Sequence, residues 1–174
     1  MKITVKWLSK QHACVGGSLW FENQTETDAA TVIEKLITEE KLEWANWLTA
    51  RVLNRKQKIA YAIFAAEQVL DIYERKYPND KRPREATEAA RKVLKRDSKK
   101  NRTAAYDAAY AASAAYAAYA AYAASANASA YDAASAAYAA SAAYAAYAGV
   151  ASAYAEMQKR ILAFVVELLR EIGK

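Results

Sequence analysis

Between Thr103 and Ala155 the chain holds 53 residues, of which 31 are Ala, 10 are Tyr and 6 are Ser. No other feature limits the fold so strongly. Ala is the strongest helix former and no Pro interrupts the tract, so helix is expected in place of the disorder that biased composition often brings. The tract also repeats itself with an offset of 25: Ala105-Tyr106-Asp107-Ala108-Ala109 matches Ala130-Tyr131-Asp132-Ala133-Ala134, and Tyr119 and Tyr122 match Tyr144 and Tyr147. Between the copies, at Ala126-Asn127-Ala128-Ser129, the triplet spacing fails. Asn127 or Ser129 suits the cap of a second helix and Thr103 the cap of the first, which puts Asp132 and Asp107 in the two first turns. The pattern predicts two long helices joined by a tight turn, an αα-hairpin.

Within each copy the larger residues recur every three positions. Each triplet advances about 300° around an α-helix, so the tyrosines slip back by roughly 60° a step and spiral around it. A spiral needs neighbours on several sides, which predicts a central hairpin wrapped by the other helices. It also denies the flat, regular face that an ice-binding Ala-rich helix would require. The tyrosines then pack core and rim with their hydroxyls turned to water, or they line a pocket that stacks a nucleobase or another flat group.

The rest of the chain supplies the wrapping. Lys2 to Trp7 alternates polar and apolar residues, which suits one short N-terminal strand, although no partner strand is evident. Gly16-Gly17 reads as a turn, with Ser18 capping a short helix that carries Leu19, Trp20 and Phe21. Thr27 is the expected N-cap of a helix bearing Val32, Ile33, Leu36 and Ile37 at helical spacing. Further helices are expected over about Glu39–Leu53, Arg55–Tyr77, Arg84–Arg96 and Glu156–Ile172, the last with Ile161, Leu162, Val165, Leu168 and Leu169 as its apolar stripe. The expected fold is therefore all-α: one helical domain over 1–174, with a basic front part (1–102), the Ala/Tyr hairpin (103–155) and a closing amphipathic helix (156–174).

Composition narrows the chemistry. One Cys and one His rule out an internal disulfide and leave too few soft ligands for an intrachain zinc cluster. The 4 Gly form no phosphate loop. His12 and Cys14 are two apart and lack a third member for a nucleophile–base or metal site. Asp107 and Asp132 would lie at opposite ends of an antiparallel hairpin, which argues against a carboxylate dyad. No catalytic residue, metal ligand or cofactor is expected. The start of the chain lacks a signal-peptide pattern and the Ala tract is too weakly apolar for a membrane span, so a cytoplasmic protein without membrane attachment is expected. Homo-oligomerisation is left open.

Charge is where function can enter. Residues 1–102 carry 21 basic and 14 acidic side chains, so the whole basic excess lies in the front part. It is densest over Arg91–Arg102, where seven cations accompany only Asp97. Such a run is a solvated helix end or a surface for an anionic partner. Two further clusters are candidates for an anion site: Arg51, Arg55, Lys56 and Lys58 at one helix junction, and Lys81, Arg82 and Arg84 at the start of another helix. If they converge with a tyrosine such as Tyr106, Tyr110 or Tyr131 between them, a phosphate-bearing ligand would fit.

Taken in order, Trp44-Ala45-Asn46-Trp47-Leu48, Tyr61-Ala62-Ile63-Phe64-Ala65-Ala66-Glu67-Gln68-Val69, Lys81-Arg82-Pro83-Arg84-Glu85-Ala86 and the Ala-Ala-Tyr tract resemble the Ala-rich immunity proteins of bacteria and phages, related to polymorphic toxin systems. The resemblance spans roughly residues 12–170. It implies a small helical, non-enzymatic protein that neutralises a protein toxin or an immune component by occupancy. Two other functions fit the residues: a phage sponge that sequesters a nucleotide immune signal in a basic, Tyr-lined pocket, and a nucleic-acid binder acting through 91–102.

Overall fold

The structure, a computed structural model, describes residues 1–112 and 151–171. Among these residues it is all-α: α1 (Val5–Lys10), α2 (Val15–Glu22), α3 (Ala29–Thr38), α4 (Leu42–Val52), α5 (Arg55–Lys76), α6 (Arg82–Lys95), α7 (Lys99–Ala112) and α8 (Ala151–Glu171). The expected αα-hairpin falls mainly on residues 113–150, outside the described residues, although α7 contains the start of the Ala/Tyr tract and α8 its end.

Several boundaries differ from the sequence expectation, and each has a local cause. The N-terminal strand is not formed. Residues Met1 to Thr4 touch the chain before α3 through a single bridge, Lys2 with Asp28. Thr4 then starts α1 by accepting the Trp7 amide at 3.1 Å, so a cap overrides the alternation that follows it. Ser18 does not cap α2, because Cys14 does so four residues earlier, its Sγ accepting the Gly17 N–H at 3.3 Å. Gly16 and Gly17 therefore lie inside the helix. Asp28, not Thr27, caps α3, accepting from Ala30 at 3.1 Å and Thr31 at 3.4 Å, while the Thr27 carbonyl accepts from Ile3. α4 starts at Leu42 because Glu40 takes a left-handed φ of 57°, and the Lys41 amide closes back on the Leu36 carbonyl at 2.8 Å. This is a Schellman closure made without glycine. Thr103 is an exposed residue inside α7, whose cap is Ser98, accepting from Asn101 at 3.2 Å. Asp107 consequently lies well past the first turn.

Two apolar clusters flank α5. On one side Tyr61, Ala65 and Val69 pack with Ile33 and Leu36 of α3, Ala45 and Leu48 of α4, and Ile161, Leu162 and Val165 of α8. On the other, Ile59, Ala62, Ile63 and Ala66 meet Ala90 and Val93 of α6 and Ala105 of α7. The alanines at this second seam let the helices approach closely. Tyr61 is fully buried, and its hydroxyl donates to Asn46 Oδ1 at 2.7 Å, which satisfies a phenol that would otherwise be costly inside. The Phe64 and Phe164 rings stack with centroids 4.2 Å apart. Ion pairs Arg170–Glu34 at 2.6 Å and Lys159–Glu40 at 3.0 Å fasten the rim of α8 to the α3 end.

Candidate functional site

α5 and α6 are joined by a short turn and run antiparallel, as their cross-links record in opposite order. Arg84 meets Glu74 at 2.6 Å, Arg91 meets Glu67 at 2.8 Å, and Arg55 meets Asp97 at 2.9 Å. This order decides which basic clusters meet. The start of α5 lies beside the α6–α7 turn, whereas Lys81, Arg82 and Arg84 lie at the far end. Arg55 and Glu74 are 19 residues apart on α5, about 28 Å at 1.5 Å per residue. The phosphate site expected from convergence of 51–58 with 81–84 is therefore not formed. The 51–58 cluster joins the Arg91–Arg102 stretch instead.

At the 81–84 end the guanidinium groups are already neutralised. Arg82 donates to both carboxylate oxygens of Asp80, at 2.8 and 2.6 Å. The Tyr73 hydroxyl donates to the same carboxylate at 2.7 Å. Arg82 first and Tyr73 second hold the Asp80 carboxyl far below the usual range. Arg84 forks onto Glu74 with two contacts of 2.6 Å and reaches Asp71 at 3.4 Å. An open hollow of about 790 Å³ lies here, bordered by Lys76, Tyr77, Asp80, Lys81, Arg82 and Glu85, its cations nearly balanced by its carboxylates. A smaller hollow of about 230 Å³ between α5 and α6 is lined by Glu67, Asp71, Glu88, Arg84 and Arg91.

The opposite end is different. Asp97 alone serves two arginines, Arg55 at 2.9 Å and Arg102 at 2.8 Å, and its carboxyl is lowered, chiefly by Arg55. Asn101 fixes the turn by donating to the Lys92 carbonyl at 3.2 Å and the Arg96 carbonyl at 2.8 Å. Around this rigid turn Lys56, Lys92, Lys95, Arg96, Lys99 and Lys100 are all exposed. None makes an ion pair among the described residues. Lys92 and Lys95 sit in the last turn of α6, where the helix dipole favours cations. Lys99 and Lys100 open α7, where it opposes them.

At the α4–α5 joint the Arg51 guanidinium lies 3.9 Å over the Trp47 ring and donates to the Trp47 carbonyl at 3.1 Å. Lys58, in α5, is half-buried nearby. Both groups are lowered by burial, and Lys58 also by the charge of Arg51.

Of the expected tyrosines, Tyr106 is 46% exposed and lies two turns along α7 on the Lys99 side. Tyr110 lies in α7, its side chain outside those described, and Tyr131 lies outside the described residues. Asp97 was visible in the sequence as the only acid of its stretch. Its bridging role follows only from the antiparallel placement of α5 and α6. The stacking of Arg51 on Trp47 has the i, i+4 spacing of a helix as its signal.

Among the described residues no group of three or more His, Cys, Asp or Glu side chains is placed to hold a metal ion. No helix among them is long and apolar enough to cross a membrane. No family model, curated protein or solved structure matches the chain.

Proposed function

We propose that this is a non-enzymatic binding protein that acts by occupancy, docking through the basic end of the bundle onto an anionic surface of its partner. One observation carries the reading: a single carboxylate, Asp97, is shared by two arginines while six exposed cations around it have no counter-charge among the described residues. Such an end gives fast, salt-sensitive association and fixes the orientation of the encounter. The resemblance to Ala-rich immunity proteins supplies the setting, bacterial or phage conflict in the cytoplasm, with a protein toxin or immune component as the partner.

A second reading is nucleic-acid binding through the same end. It is favoured by Tyr106, an exposed ring on the Lys99 side of α7 that could stack a base beside the lysines. Nucleotide sequestration would use the hollow beside Tyr77, where the Asp80 carboxylate already occupies Arg82; this makes it the weaker anion site. The test is affinity for a poly-glutamate peptide and for a short DNA duplex, measured by anisotropy over a salt series. A salt-dependent affinity for the peptide at least as strong as for the duplex supports a protein partner. Preference for the duplex moves the assignment to nucleic acid. Absence of binding to either at low salt overturns the basic end as a docking face.

A further inference from the structure

α2 is held on one side and bare on the other. Phe21 is buried. The Gly16 backbone lies so close to Trp44 that a Cβ there would sit 3.4 Å from the indole ring. Trp20 meets the same indole with ring centroids 6.4 Å apart and donates its ring N–H to Glu39 Oε2 at 2.7 Å. These contacts fix how the helix is rotated. Val15 and Leu19, one turn apart on the remaining side, are left 76% and 55% exposed. No other large apolar side chain among the described residues is as exposed as Val15. Glu22, also exposed, continues the ridge by almost another turn.

Charge along this ridge is ordered. No acid precedes Glu22 in the chain, whereas Lys2, Lys6 and Lys10 do, all of them exposed. Lys10 ends α1, and the left-handed turn at His12 leads the chain into α2. The N-terminal end of the ridge is therefore basic, and Glu22 makes its C-terminal end acidic. Neither Lys10 nor Glu22 has an ion-pair partner among the described residues.

We propose that this ridge pairs with the same ridge of a second copy of the chain, antiparallel across a twofold axis. A patch that is basic at one end, apolar in the middle and acidic at the other complements itself when turned end for end. Val15 of each copy packs on Leu19 of the other, and the Glu22 end of each lies beside the Lys10–His12 end of the other. A parallel pair would set Lys10 on Lys10 and Glu22 on Glu22. Gly16 and Ser18 flank the ridge level with the axis, and both are small enough for the two helices to approach closely. The apolar centre is two side chains per copy, well short of the roughly 800 Å² per partner of a standard interface. The dimer is accordingly weak, with a Kd on the order of 100 µM.

The test is sedimentation equilibrium of the full chain at physiological salt, from about 10 µM to about 1 mM. The wild type should pass from monomer to dimer across that range. Leu19→Glu should weaken the dimer at least about tenfold, and should leave the melting temperature within about 2 °C because the side chain is exposed in the monomer. Lys10→Glu and Glu22→Lys should each weaken it about threefold, and the two together should return it to within about twofold of the wild type. That rescue is expected of a second copy and of no other occupant. No polyanion enters the measurement, so its outcome is independent of the docking assigned to the basic end. A monomer at every concentration, a dimer indifferent to Leu19→Glu, or a double variant no tighter than either single variant would overturn the pairing.

Discussion

Both ends of α5 carry a cluster of cations, and they treat their arginines in opposite ways. At the C-terminal end Arg82 and Arg84 are each forked onto a carboxylate, Asp80 and Glu74, with contacts near 2.6 Å, and the hollow beside them is electrically almost closed. At the N-terminal end one carboxylate serves Arg55 and Arg102, and the surrounding lysines face water. The arginine charge at the first end is part of the fold. At the second, positive charge exceeds what the fold uses, and Lys99 and Lys100 even oppose the dipole of the helix they begin. A basic count read from sequence merges these cases; only the pairing separates them.

The contrast breaks most sharply if the excess lysines are removed. Lys92→Gln/Lys95→Gln/Lys99→Gln/Lys100→Gln should reduce affinity for a poly-glutamate peptide or a short duplex at low salt on the order of a hundredfold. Its melting temperature should change by no more than about 2 °C, because favourable charges on α6 and unfavourable ones on α7 are lost together. Asp97→Asn should move binding the other way. Arg55 and Arg102 are released, so affinity for the same probes should rise a few-fold while the melting temperature drops, a pairing of effects that a purely structural Asp97 would not give.

Acid should act mainly at the other end. Arg84 first, against an opposing burial effect, holds the Glu74 carboxyl below its ordinary value of 4.5, and Asp80 is likewise lowered from 3.8 by Arg82. A carboxylate with a depressed folded value stabilises above its unfolded value and loses that contribution as pH falls towards the folded one. The wild-type melting temperature should therefore decline below about pH 5, and Glu74→Gln, already less stable at neutral pH, should decline less steeply over that range. Arg82→Ala gives the smallest effect on function. Polyanion affinity should stay within about twofold of the wild type, since a charge already paired in the fold contributes little to a distant end.

Much of the fold was legible. The stripes of α3, α5, α6 and α8 have helical spacing, and Ile161, Leu162 and Val165 are buried as that spacing requires. The short N-terminal elements were less legible because caps decide them: Thr4 turns an alternating segment into α1, and Cys14, a weak and unusual acceptor, starts α2 before the glycines. Tyr61 falls outside the apolar stripe that α5 shows, and is explained only by Asn46 waiting across the core. The candidate site was half legible. Its cations could be counted, but which basic cluster meets 51–58 depends on how α5 and α6 pack. The 22-residue length of α5, about 33 Å of helix, already separates 55 from 82, and an antiparallel α6 then carries 97 back to it.

The central claim, that the two ends differ in availability and not merely in charge, is tested most directly by mapping backbone amide shifts on titration with poly-glutamate. The account predicts changes concentrated in 51–58 and 92–102, with 76–88 unmoved. Changes centred on 76–88, or spread evenly over both ends, would contradict it.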